Sequence, residues 1–222
     1  MRHLRRIVLA ALAVGLCLPS MAGAHGASTA GGQLESPYVK VDGITGGEAM
    51  GLSWAVSYSL PATEDRAPCL RLGRTRSILV AVDFEPVPCT VRRGTTLLVW
   101  GITNTCSTVD EPPFHAVGSA AQRRCARTLL EPIIDSVTLT VDRGRPIDLK
   151  RPQFEIFSPL QHVQVPADNP FGVRAQRATF TAWGWVAWLK DLPPGQHTIR
   201  TEATGTDPSE PPHEISLVVN VI

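Results

Sequence analysis

An all-β fold is what the sequence predicts: an antiparallel β-sandwich with one short helix and two disulfides. Three observations lead there. Short runs of β-forming residues, about nine of them, recur between turns. The 222 residues include 19 prolines and 18 glycines, which interrupt helices and mark turns. Beyond the N-terminal region stand four cysteines, Cys69, Cys89, Cys106 and Cys125, an even set of the kind that pairs in exported proteins.

The chain opens on Arg2, Arg5 and Arg6, an apolar run over residues 7–18, and Ala22-Gly23-Ala24. This order is that of a secretory signal peptide, residues 1–24, with its cleavage site. The expected location is therefore secreted or periplasmic. The run is shorter than the roughly 20 residues that span a bilayer, and no later segment is longer and apolar. No transmembrane segment is expected in the mature chain. Cys17 follows Leu16 rather than the small residue of a lipoprotein signal, so plain cleavage is expected over lipidation. Removing residues 1–24 takes three arginines and no acid from a formal charge of +1, which leaves −2 on 198 residues. That length suits one domain with a real core. That charge argues against a nucleic-acid partner, which requires a basic face.

Residues 25–36 begin with small, polar, glycine-rich sequence and are expected to form a flexible leader. Residues 37–222 are expected to form a single sandwich. Strands are predicted over residues 52–60 (LSWAVSYSL), 77–84 (SILVAVDF) and 95–102 (TTLLVWGI). The latter two are apolar nearly throughout, which predicts burial on both faces. Residues 136–141 alternate, placing Val137, Leu139 and Val141 on one face. A short strand at 154–157 stops before Pro159. Residues 178–189 (ATFTAWGWVAWL) read as one long strand or two short ones broken at Gly184. A turn at 192–195, with Pro193, Pro194 and Gly195, leads to strands at 196–203 and 214–222. The proline-rich stretch between those last two strands is expected at the surface. Only residues 116–130 have helical composition, ended by Pro132.

Three disulfide pairings are possible. Cys69–Cys89 and Cys106–Cys125 are favoured, because neighbours in sequence close small loops. The cysteine spacings contain no C-x-x-C, which argues against a zinc knuckle and a redox site.

An ordered set of motifs resembles a family of exported bacterial proteins with no assigned activity. It comprises Val87-Pro88-Cys89-Thr90-Val91 leading to Gly94 and Leu97-Leu98-Val99-Trp100, then Asn104-Thr105-Cys106-Ser107 and Val141-Asp142-Arg143-Gly144. Phe157-Ser158-Pro159, Asp168-Asn169-Pro170-Phe171-Gly172 and Leu192-Pro193-Pro194-Gly195-Gln196-His197-Thr198-Ile199 complete it. The resemblance implies a secreted β-domain and no particular chemistry.

Candidate sites follow from residue type. If cleavage falls after Ala24, the α-amino group and imidazole of His25 would together suit copper, with a second imidazole from His115, His162, His197 or His213. Copper-dependent polysaccharide oxygenases resemble this arrangement. Against it stand the mobile composition around His25, since a ligand needs rigid support, and the alternative cleavage after Ala22. The first expectation is therefore no cofactor, with copper as the alternative. Trp183 and Trp185 share one face of their strand, opposite Trp188, and would form a carbohydrate platform if exposed or core if buried. Asp83 and Glu85 face the same way, but two acids ending a strand are commonly a solvated edge. Gly51-Leu52-Ser53-Trp54-Ala55 lacks the second glycine of a nucleophile elbow. Arginines gather at Arg66, Arg71, Arg74 and Arg76, at Arg92 and Arg93, and at Arg123, Arg124 and Arg127. Were the disulfides to bring these together, they would suit an anionic polymer, although the net charge favours a solvated face. The chain is thus expected to be a non-enzymatic binding or cell-envelope interaction module, its partner a carbohydrate or envelope component. The alternative is a copper enzyme built on His25.

Overall fold

Two long strands organise the molecule, which the computed structural model describes over residues 33–63, 68–81 and 88–222. Among the described residues the elements are β1 (Gln33–Glu35), α1 (Gly46–Ser59), β2 (Cys69–Leu72), β3 (Ile78–Ala81), β4 (Cys89–Val91) and β5 (Thr96–Ser107). Then follow α2 (Ser119–Thr128), a 3₁₀ turn (Glu131–Ile133), β6 (Ile134–Val141), β7 (Ile147–Asp148), β8 (Glu155–Phe157), β9 (Gln161–Val165), β10 (Gln176–Lys190), β11 (Gly195–Gly205) and β12 (His213–Val221).

The strands form two sheets. The first runs β1-β10-β5-β3-β2, with β8 and β9 also paired to β10. The second runs β4-β12-β11-β6-β7. The expected all-β, two-sheet fold with two disulfides is what the chain adopts, and Cys69–Cys89 and Cys106–Cys125 are the pairs formed. Pairing is antiparallel except for β3 with β5 and β12 with β4, which run parallel.

The inner faces of the sheets enclose the main core. Trp183, Trp185 and Leu189 of β10 and Leu97 and Val99 of β5 meet Val137 and Leu139 of β6, Ile199 of β11, and Leu217 and Val219 of β12. The alternation read on β6 holds, with Val137, Leu139 and Val141 all buried. A second apolar layer covers the outer face of the first sheet, where Ala49, Met50 and Tyr58 of α1 pack with Ile78, Val80, Phe180, Val186 and Trp188. The first sheet is therefore buried on both faces. This explains why β3 and β5 read as continuous apolar runs.

Residues 178–189 form one strand, not two. Gly184 lies inside β10, where a Cβ would stand 2.3 Å from the Ile102 carbonyl oxygen. The irregularity lies opposite, on β5. Trp185 pairs with Ile102 and Val186 with Trp100, which leaves Gly101 as the extra residue of a bulge. A side chain at Gly101 would stand 2.5 Å from Val137 Cγ1, so the bulge is built around the missing Cβ.

One expectation is corrected. Residues 52–60, predicted as a strand, belong mostly to α1, so the described residues carry two α-helices rather than one. Thr45 and Glu48 form a capping box that starts the helix upstream of the β-forming residues. α1 is small and apolar around most of its circumference and shows no apolar stripe to read. Its Gly47 lies so close to β8 that a Cβ would stand 2.4 Å from the Phe157 carbonyl oxygen. The helix expected within 116–130 is α2. Within the stretch read as a leader, Gln33–Glu35 form β1 against Trp188–Lys190 of β10. Residues 25–32 and the signal segment lie outside the described residues.

Candidate functional site

Four arginines of the two neighbouring sequence clusters converge at one end of the sandwich. Arg71 lies on β2, and Arg76 on the turn from β2 to β3. Arg92 and Arg93 form the turn from β4 to β5. All four line one open cleft of about 380 Å³, together with Thr75, Ser77, Thr95 and Gly94.

Local geometry accounts for each turn. Asp42, on a turn closed by Val41 and Ile44, accepts from the Thr75 amide at 2.7 Å and the Thr75 hydroxyl at 2.9 Å. A longer contact of 3.5 Å comes from the Ser77 amide. Burial works against the Asp42 carboxylate, but these hydrogen bonds outweigh it and hold its pKa below the ordinary value. Asp42 thus spends its acceptor capacity on the turn that carries Arg74 and Arg76. Arg76 itself sits at φ 58°, a left-handed conformation that this pinned turn sustains. On the other side, the Thr95 amide donates to the Arg92 carbonyl at 3.1 Å, and Gly94 supplies the positive φ of 81°.

Three ties fasten the turns to each other. The Thr96 amide donates to the Ser77 carbonyl at 2.9 Å. Arg71 Nη2 donates to the Thr90 carbonyl at 2.7 Å. The Cys69–Cys89 disulfide joins β2 to β4. A cation cluster is thereby held on a rigid frame that spans both sheets.

The electrostatics are one-sided. Among the described residues, none of Arg71, Arg76, Arg92 and Arg93 makes an ion pair with a carboxylate. Partial burial first, and then the charge of Arg76, pull the pKa of Arg71 below its ordinary value. Among the described residues, then, four like charges are gathered with no carboxylate paired to them, and the nearby Asp42 is bonded to Thr75 and Ser77 instead.

The third arginine cluster is elsewhere and differently used. It lies on α2, which Cys106–Cys125 fastens to the far end of β5. From Thr96 to Cys106 the strand runs about 33 Å at its usual rise. There Arg127 pairs with Glu131 at 2.8 Å and Glu155 at 3.2 Å, and Arg123 lies over the Phe157 ring at 4.3 Å. Arg74 is exposed beside Gly43, and Arg66 lies outside the described residues.

The remaining sequence candidates are placed as follows. Trp183 and Trp185 share a face, as read, but it is the inner one: they are 0% and 3% exposed and stack edge to face at 4.7 Å. The carbohydrate platform is therefore corrected to core, because the second sheet covers both rings. Trp183 Nε1 donates to Glu155 at 2.8 Å. Ser53 is buried in α1 and donates to the Met50 carbonyl, far from a nucleophile's setting. Asp83, Glu85 and His25 lie outside the described residues. Of the imidazoles considered as copper partners, His197 has both ring nitrogens engaged, by Asp142 at 2.9 Å and the Pro193 carbonyl at 2.8 Å. His115 Nδ1 lies 3.1 Å from the Asp110 carbonyl, while His162 and His213 are exposed on β9 and β12. Among the described residues no group of three His, Cys, Asp or Glu side chains is placed to hold a metal, and no helix is long and apolar enough to cross a membrane.

A larger open cleft of about 780 Å³ lies along β9 and β10. Thr108, His162, Gln164, Gln176, Arg177 and Thr179 line it, mostly neutral groups with one guanidinium. It offers no concentration of charge and no paired acid and base. The arginine cleft is the site with a definite chemical preference.

No family model matches the chain, and no curated protein matches it. Two solved structures are similar to it. One is a cysteine protease inhibitor from Entamoeba histolytica, 10% identical, with a TM-score of 0.26, covering 65% of this chain and 94% of that one. The other is the solution structure of amebosin, 13% identical, with a TM-score of 0.22, covering 65% of this chain and 96% of that one. TM-scores this low carry no functional argument from either protein to this chain.

Proposed function

We propose that this chain is an exported, non-enzymatic binding module that holds an anionic partner of the cell envelope or its surroundings in the arginine cleft. One observation carries the reading: four guanidiniums converge on one cleft from two tied turns, with no carboxylate paired to them among the described residues. Guanidinium forks match the paired oxygens of carboxylate, phosphate and sulfate groups. The two disulfides and the signal-like residues 1–24 support an oxidising destination outside the cytoplasm. The motif order shared with uncharacterised exported bacterial proteins supports the same destination.

The test is binding of dextran sulfate by the protein and by a variant carrying Arg76→Ser, Arg92→Ser and Arg93→Ser. The protein should bind with an affinity that falls as salt rises, since ion release drives such contacts. The variant should lose at least tenfold. Equal binding by both proteins would move the site elsewhere, and an absence of binding by either would end the reading.

A further inference from the structure

The cleft also constrains the kind of anion. Its volume of about 380 Å³ is several times that of one oxyanion, when a single water claims about 30 Å³. Its cations come in two pairs from two separate segments: Arg71 and Arg76 from the β2–β3 hairpin, Arg92 and Arg93 from the β4–β5 turn. Four guanidiniums carry four positive charges, more than one small oxyanion neutralises, whereas successive charges on one chain can match them. Among the described residues the rest of the lining comes from Thr75, Ser77, Thr95 and Gly94 and contains no aromatic ring. Proteins that hold single-stranded nucleic acids stack bases on aromatic side chains, and the described lining offers no such platform. Hydroxyl groups suit the polar backbone of a glycan or a bare polyphosphate instead.

Resting on the anion-binding reading above, we infer that the cleft takes a polyanion without bases that bears successive phosphate or sulfate groups, with anionic groups on both turns. Asp42 is a positioning residue for this site. It touches the turn through Thr75 and Ser77 and so sets where Arg76 points, its acceptor oxygen being taken by those donors.

The experiment is calorimetric titration of the oxidised full-length mature chain with five probes: orthophosphate, inorganic sulfate, linear polyphosphate, a sulfated octasaccharide, and a single-stranded DNA of matched charge. Either or both polymers without bases should bind at least a hundredfold more tightly than orthophosphate and sulfate. Which of the two binds identifies the anionic group. Arg76→Ser alone and Arg92→Ser with Arg93→Ser should each weaken polymer binding at least fivefold, because each removes cations from one of the two segments. Lysine at the same positions should restore only part, since it keeps the charge and loses the fork. Asp42→Asn should weaken polymer binding with an unchanged near-ultraviolet spectrum. Orthophosphate binding as tightly as the polymers would overturn the two-group inference and leave the anion-binding reading standing. DNA binding more tightly than both other polymers would overturn the claim about the backbone. Failure of every probe to bind would end both readings together.

Discussion

His197 shows how one side chain can tie separate turns together and what that tie does with pH. It is almost fully buried. Its ring bridges the Asp142 carboxylate, at the end of β6, and the Pro193 carbonyl, before β11. Asp142 in turn accepts from the Thr198 amide at 2.9 Å. Burial lowers the imidazole pKa, but the hydrogen bonds to Asp142 and Pro193 and the charge of Asp142 outweigh it, so the net shift is upward from 6.5. Both acceptors are satisfied at once only when both ring nitrogens carry protons. A raised folded-state pKa means that the folded chain binds the proton more tightly than the unfolded chain. The stabilisation is complete below the unfolded value of 6.5 and is lost as pH rises through the folded value. The melting temperature of the protein should therefore exceed that of His197→Gln by more at pH 5.5 than at pH 8.5. A constant difference across that range would mean that the ring acts by packing alone. The histidine was legible as a residue in a turn motif. Its partners were not, because Asp142 lies 55 positions earlier and only the pairing of β6 with β11 brings it near.

At the scale of elements, α1 is where local sequence carried two signals and the weaker-looking one prevailed. Trp54, Val56 and Tyr58 favour strands, yet the capping box at Thr45 and Glu48 commits the segment to a helix before they are reached. Once helical, Tyr58 reaches Thr105 at 3.0 Å and Asp110 at 2.8 Å and stacks on Phe180 at 4.6 Å. Desolvation leads the causes that raise its pKa, so it remains a neutral hydrogen-bonding phenol. Thr45→Ala removes the cap and should cost about 1 kcal/mol. For a domain of this size that corresponds to about 2–4 °C in melting temperature, readable by calorimetry. An unchanged melting temperature would show that packing against β8 and β9 holds the helix without its cap. The strands β3, β5, β6, β10, β11 and β12 were legible because apolar or alternating runs survive in any context, and β8 because Pro159 marks where it stops. The short strands β2, β4, β7 and β9 were not, because two to five residues carry too little pattern apart from their partners.

At the scale of the molecule, the two disulfides do separate work. Each closes a short loop, with sequence separations of 20 and 19, and each should contribute about 3 kcal/mol by restricting the unfolded chain. Only Cys69–Cys89 also joins the two walls of the arginine cleft. The paired serine variants should therefore lose similar stability in urea, while polyanion binding weakens in Cys69→Ser/Cys89→Ser and persists in Cys106→Ser/Cys125→Ser below their unfolding midpoints. Equal loss of binding in both would show that the cleft depends on overall stability rather than on its own clasp.

What the sequence by itself determined is what depends on residue type and close spacing. This includes the all-β class, the alternation on β6, the shared face of Trp183 and Trp185, the helix near Cys125 and the favoured disulfide pairs. What only the tertiary structure decided is what depends on which surfaces meet. The same shared face of Trp183 and Trp185 is a binding platform if it is open and core if a second sheet lies over it, and nothing in the strand itself distinguishes the two. Nine arginines in three clusters read alike. Parallel pairing of β3 with β5 and the crossing of the β4–β5 turn between sheets gather four of them around one cleft, while α2 carries three others to the far end of β5, where carboxylates and a ring hold two of them. Charge is written in the chain, but whether it meets a partner is settled by distance, and distance belongs to the fold.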